Sequence, residues 1–287
     1  MAEPAAAGER PAGWAGRLAL QYRREGPRTI AHDRHEGPLR VLQPLYPEGP
    51  GVCHHVLVHP PGGIVGGDRL DIDVTVGAGA HALITTPGAT RFYRSAGVPA
   101  AQQARLRAEA GARLEWLPLE SIAYPGCEAA NTVEFTLGDG ATLLGWDLLA
   151  LGLPAAGAAF DQGQFTQTLA WPGQWLEHGR LRAADVRLLQ SPLGLGGRGV
   201  LGCAWFAVGG PADPALASAL LDGARAAIAA SPLAASAGAT MPRPGLVVLR
   251  LLAARTEPAL ALLAAVRAAW RSRAWGLPAA PPRVWRT

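Results

Sequence analysis

Three short turns set the frame of this chain. Gly79-Ala80-His81-Ala82-Leu83, Gly111-Ala112-Arg113-Leu114-Glu115 and Gly140-Ala141-Thr142-Leu143-Leu144 each open on Gly-Ala and run into a strand, and their glycines lie 32 and 29 residues apart. Glycine supplies the positive φ of a tight turn without the steric penalty of a Cβ. A turn that returns at nearly constant spacing predicts stacked layers of β-structure, as in a solenoid. The stretches between the turns agree. Residues 71–76 set Ile72, Val74 and Val76 against Asp71, Asp73 and Thr75, the two-residue period of a half-buried strand. Val133, Phe135 and Leu137 repeat it in 131–137, and Phe165 and Leu169 share a face in 164–169.

Two helices are predicted late in the chain. Asp213-Pro214 is an N-cap followed by proline at the first helical position, so one helix runs near 214–231, with Ala217, Leu220, Leu221, Ala224 and Ile228 as its apolar stripe. The other runs near 257–275, where Leu260, Leu263, Val266 and Trp270 line one side while Arg267, Arg271 and Arg273 lie elsewhere, and Gly276 and Pro278 end it. Residues 246–252 read as a buried strand, and 232–245 as a Pro/Gly/Ala-rich connection. The fold class is therefore mainly β, solenoid-like or β-helix-like stacked layers with a pair of helices toward the C-terminal part. Residues 1–13 read as a flexible arm, and 14–287 as a single domain.

Composition narrows the chemistry. All 26 basic residues are arginine. Without lysine there is no Walker A motif, no Schiff base and no kinase-type catalytic lysine. The arginines are scattered, which argues for solvated surface rather than nucleic-acid binding. No apolar run reaches the about 20 residues of a membrane span. Cys53, Cys127 and Cys203 are odd in number and far apart, so reduced thiols in the cytoplasm fit better than a disulfide framework.

Few motifs point to a site. His59-Pro-Pro-Gly-Gly-Ile-Val-Gly-Gly-Asp68 reads as a tight crossover in which backbones approach closely. Gly194-Leu195-Gly196-Gly197-Arg198-Gly199 satisfies GxGxxG, but a strand follows it where a dinucleotide site needs a helix. Cys53, His54, His55 and His59 do not form a ready tetrahedral zinc set, since His55 and His59 would share a strand face with His54 opposite. Asp147 stands alone in the apolar run LLGWDLLALG, where a buried carboxylate needs a partner, a water path or a metal route. No catalytic constellation is found, so neither catalytic nor cofactor-binding residues are assigned.

HPPGGIVGGD at 59–68, TTPGATRFYRS at 85–95, LEWLPLESIAYPG at 114–126, WDLLALG at 146–152 and PRVWRT at 282–287, together with GPLRVLQPLYPEG at 37–49, resemble the urease accessory protein UreD (UreH) family in the same order. Residues 190–245 carry little of the resemblance. It implies a mainly β scaffold without catalysis of its own, which binds apo-urease and UreF, with UreF recruiting the GTPase UreG. Nickel would pass transiently, with no tightly bound cofactor. The resemblance further implies that Asp68, Asp147 and Glu177 line an internal passage, with His54 and His59 as weaker candidates. Weak, exchangeable carboxylate and water contacts suit transfer of a divalent ion. The two helices, through exposed Leu and Trp, are the expected contact with UreF. The competing reading is a β-solenoid enzyme acting on a carbohydrate, for which Asp71 and Asp73 are the one close carboxylate pair, about 7 Å apart along a strand. A nucleotide-binding module rests on the glycine loops alone.

Overall fold

A computed structural model describes residues 13–153 and 156–286. Apart from Gly13, the expected arm lies outside the described residues. The strands are β1 (Ala15–Glu25), β2 (Arg28–Glu36), β3 (Arg40–Val41), β4 (Val52–Val58), β5 (Arg69–Val76), β6 (His81–Thr85), β7 (Thr90–Phe92), β8 (Ala100–Ala108) and β9 (Arg113–Leu117). They continue as β10 (Ser121–Ala123), β11 (Cys127–Leu137), β12 (Thr142–Leu151), β13 (Gly163–Trp171), β14 (Trp175–Arg182), β15 (Val200–Val208), β16 (Ala237–Arg243) and β17 (Leu246–Ala253). The helices are α1 (Val186–Gln190), α2 (Pro214–Ala229) and α3 (Thr256–Trp275).

The chain alternates between two sheets. Among the described residues one sheet has the order β14-β13-β11-β8-β5-β1-β2, parallel from β13 to β1. Among the described residues the other has the order β16-β17-β15-β12-β9-β6-β4-β3, parallel from β12 to β4, with β10 beside β12 and β7 beside β10. The glycine turns are the corners where the chain changes sheet. Gly79, Gly111 and Gly140 all adopt positive φ (65°, 64° and 66°). Each following alanine is fully buried. The turns stack by hydrogen bonding, Arg113 N to Ala80 O and Thr142 N to Ala112 O, both at 2.9 Å. His81 pairs with Arg113 and Arg113 with Thr142, so the spacing of the glycines is the length of one coil.

Two cores follow from strand alternation. Between the sheets lie Leu20, Ile72, Val74, Leu106, Val133, Phe135 and Phe165 from the first, against Ile84, Leu114, Leu143, Leu149 and Trp205 from the second. Phe135 stacks on Trp205 with centroids 6.1 Å apart. The second sheet's outer face, with Leu83, Leu117, Leu144, Trp146, Phe206 and Leu249, is covered by α2 and α3 through Leu220, Ala224, Leu263, Val266 and Trp270. Each fully buried large side chain contributes about 1.5–3 kcal/mol. Asp213 caps α2, accepting from Ala215 N at 2.8 Å, and Gly276 ends α3 at φ 63°.

Three expectations need correction. The connection 232–245 contains an edge strand, β16, which pairs with β17 despite its low β-propensity because the apolar β17 offers an open edge. Arg267 and Arg271 do not lie on the solvated side of α3; they are 2% and 0% exposed, held by buried carboxylates. The helices do not present exposed Leu or Trp, since their stripes cover the sheet. Among the described residues the exposed large apolar side chains, Trp14, Val65, Leu176 and Leu193 among them, all lie off α2 and α3.

The 59–68 crossover depends on close approach. A Cβ on Gly63 would stand 2.0 Å from the Tyr93 ring, and Ile64 beside it bridges to Phe92. Gly63→Ala is expected to lower stability by about 1–3 kcal/mol through overpacking. Denaturant melts read it, and a midpoint equal to wild type refutes it.

Candidate functional site

The sheets do not pack apolar residues throughout. Asp147 on β12 faces the space between them, because it alternates with the outward Trp146 and Leu148. Opposite it, the first sheet presents Gln102 on β8, Asn131 on β11 and Gln167 on β13, paired side by side in register. Gln102 Nε2 donates to Asn131 Oδ1 at 3.2 Å, and Asn131 Nδ2 donates to Asp147 Oδ2 at 3.0 Å. The Gln167 amide is buried at both heavy atoms and makes no hydrogen bond of normal geometry. Burial pushes the Asp147 carboxyl up to about 7, with the Gln167 and Asn131 amide dipoles favouring the charged form and limiting the rise.

Asp147 and Gln167 line a cavity of about 470 Å³ that also takes in Leu149, Leu169, Cys203, Glu177 and Arg250. Cys203 on β15 pairs with Asp147 on one side and with Arg250 on the other. Arg250 crosses from the second sheet to Glu177 on β14 of the first, its Nε donating at 2.8 Å with Nη2 on the same oxygen. At the other end of the polar file, Gln102 lines a second cavity of about 280 Å³ with His59, Gly62, Gly63 and Arg91.

The expected site residues thus separate. Asp147 and Glu177 share the larger cavity. Asp68 lies apart from it: its two carboxylate oxygens accept from Trp14 N at 2.8 Å and Val65 N at 2.9 Å, which clamps the crossover to the start of β1. His59 follows the end of β4 and lines the second cavity. His54 faces the helices, with Nε2 2.7 Å from Glu48. Asp71 and Asp73, the carbohydrate-enzyme candidates, are paired with Arg105 on the first sheet's outer face. No three His, Cys, Asp or Glu side chains among the described residues converge closely enough to hold a metal ion.

Sequence reasoning missed a buried ionic cluster beneath α3. Glu115 on β9 accepts from Arg267 Nε at 2.8 Å, lies 3.2 Å from Arg271 Nη1 and 3.1 Å from His81 Nε2. Arg271 reaches on to Glu48 at 2.5 Å. Burial opposes the charge on Glu115, yet Arg267, His81 and Arg271 outweigh it and hold the carboxyl at about 2. Burial lowers His81, which favours its neutral form. Two carboxylates face two guanidiniums, so the cluster balances its charge. The available signal was the i, i+4 spacing of Arg267 and Arg271, which puts both on one strip of α3.

The family model described as UreD urease accessory protein matches residues 15–286. The chain belongs to the UreD family. Curated relatives, each named urease accessory protein UreD, are similar along nearly their whole length. That of Leptothrix cholodnii is 59% identical over 276 residues, covering 96% of this chain and 99% of the relative. That of Polaromonas naphthalenivorans is 54% identical over 272 residues, covering 95% and 99%. That of Variovorax paradoxus is 55% identical over 274 residues, covering 96% and 99%. The segments that resemble UreD, apart from the terminal PRVWRT, land on the framework of the two sheets. HPPGGIVGGD is the β4–β5 crossover and WDLLALG lies in β12. Trp285 of the terminal PRVWRT packs on Trp146 with centroids 5.3 Å apart and donates to Thr85 Oγ1 at 2.8 Å. No helix among the described residues is long and apolar enough to cross a membrane.

Proposed function

We propose that this chain is a urease maturation factor that acts in the cytoplasm as a scaffold. It binds apo-urease and a UreF–UreG pair, and it passes nickel through the space between its two sheets. GTP hydrolysis belongs to UreG in this reading, which suits a chain without lysine. Nickel is cargo here, never a resident cofactor.

The observation that carries the reading is the polar file Gln102–Asn131–Asp147, which runs through an otherwise apolar interior between two cavities. Polar side chains held between sheets are expensive unless paired or hydrated. A file of amides with one carboxylate offers an ion oxygen ligands without a closed cage, so the ion is not trapped.

The test is co-expression with urease and the other accessory proteins at limiting nickel. Asp147→Asn keeps the size and the hydrogen bond to Asn131 but removes the charge. Urease recovered beside it is expected to hold at most about a tenth of the wild-type nickel, a loss on the scale of one strong charged contact. Nickel content by elemental analysis reads it. Full nickel loading with Asp147→Asn removes the passage.

A further inference from the structure

The mouth of the larger cavity carries a charge pattern that the passage alone does not explain. Two acids, Asp147 and Glu177, meet one guanidinium, Arg250, and the imidazole of His178 in a space otherwise lined mostly by leucines. The Arg250–Glu177 contact joins residues 73 apart in sequence and ties one sheet to the other. Within its own sheet Arg250 stands two strands from Asp147, with Cys203 between them. The Gln167 amide, its two heavy atoms buried, lines the same space beside Asp147. Both members of the ion pair keep partial solvent access, 46% for the Arg250 side chain and 32% for Glu177. An exposed pair of this kind adds little stability and opens readily.

We propose that Arg250 is a tethered counter-ion. Its guanidinium holds, at the cavity mouth, the positive charge that a divalent cation takes over on entering between Glu177 and Asp147. While the pair is closed, Glu177 is occupied and Asp147 alone faces the cavity without a guanidinium beside it. When Arg250 swings out toward solvent, a carboxylate is freed facing Asp147. A doubly charged ion that enters then meets two carboxylates, whereas beforehand only one of them lacks a cation. The inference rests on the passage reading and adds to it a residue that gates by charge rather than by size.

The sign of the mutational effects separates charge from steric closure. Ni²⁺ binding to the purified full-length chain is measured by calorimetry for Arg250→Gln, Glu177→Gln and the double variant. Near-ultraviolet circular dichroism establishes that each retains its tertiary packing, and Arg250→Met repeats the test with a different side chain. Arg250→Gln is expected to tighten Ni²⁺ binding at least about fivefold, the lower end of typical coupling between sites. Glu177→Gln is expected to weaken it, because it strands the Arg250 charge, and the double variant returns toward wild type. If both single variants tighten binding, the pair is a steric latch and the counter-ion role is overturned. Unchanged affinity in Arg250→Gln overturns it as well. Co-expression with Asp147→Asn judges the passage separately. If that variant starves urease of nickel while Arg250→Gln leaves Ni²⁺ affinity unchanged, the passage stands and the counter-ion falls.

Discussion

Glu115→Ala is expected to lower the stability of this protein by about 3–5 kcal/mol, the usual loss when one partner of a buried ion pair is removed. Glu115 is fully buried, and its carboxylate is the shared acceptor for Arg267 and Arg271, themselves 2% and 0% exposed. Truncation leaves two guanidiniums in an apolar layer with only Glu48 to answer them. Replacing Glu48, Glu115, Arg267 and Arg271 together by apolar residues of similar volume is expected to recover much of the loss. The pH dependence has a definite sign. The Glu115 carboxyl is depressed from 4.5 to about 2 in the folded protein. Its contribution is therefore present above pH 4.5 and is lost as the pH falls through about 2. Chemical denaturation of wild type and Glu115→Ala reads both effects, and a loss under about 1 kcal/mol would falsify the central role given to this carboxylate.

Asp147→Asn is expected to act in the opposite direction. Burial raises the Asp147 carboxyl from 3.8 to about 7. The folded state thus prefers the protonated acid. Its stabilising contribution is complete below pH 3.8, drains away as the pH climbs toward 7, and is gone above that. At about 1.4 kcal/mol per unit, the wild-type metal-free protein is less stable at pH 8 than at low pH by roughly 4 kcal/mol on this group's account. Asparagine carries no charge at any pH. Asp147→Asn is expected to be more stable than wild type by about 2–4 kcal/mol at pH 8, with the difference shrinking toward zero near pH 4. Urea melts at several pH values give the curve; a variant less stable than wild type at pH 8 is incompatible with it. A variant that folds better yet loads less nickel separates the passage from mere structural support.

The two results also mark what could be read from the chain alone. The coil length was legible because one turn chemistry repeats, and a buried Gly-Ala corner leaves little freedom in where a coil begins. Asp147 was legible because a lone carboxylate inside WDLLALG has no local explanation. Its neighbours were not. Asn131 and Gln167 lie in strands with ordinary alternation, and only the pairing of β11, β13 and β8 turns three unremarkable amides into one file. The ionic cluster was hidden for a related reason. Arg267 and Arg271 flank an apolar stripe, where the helical period alone assigns arginine to water, and only the depth of α3 on the sheet reverses that. Edge strand β16 was missed because Gly238 and Pro242 weaken its strand signal, while its pairing with β17 depends on residues elsewhere.

The contact between Glu48 and Arg271 spans 223 positions of chain. During synthesis the coils holding Glu48 and Glu115 leave the ribosome long before α3 does. Until then both acids sit on a bare sheet face with no guanidinium to meet them. The nascent protein can therefore stack its coils early, yet that face stays wet and unfinished until about the last ninth of the polypeptide arrives. Premature termination before α3 would leave Glu48 and Glu115 uncovered, so a truncated product should be a substrate for quality-control proteases rather than a partly working scaffold.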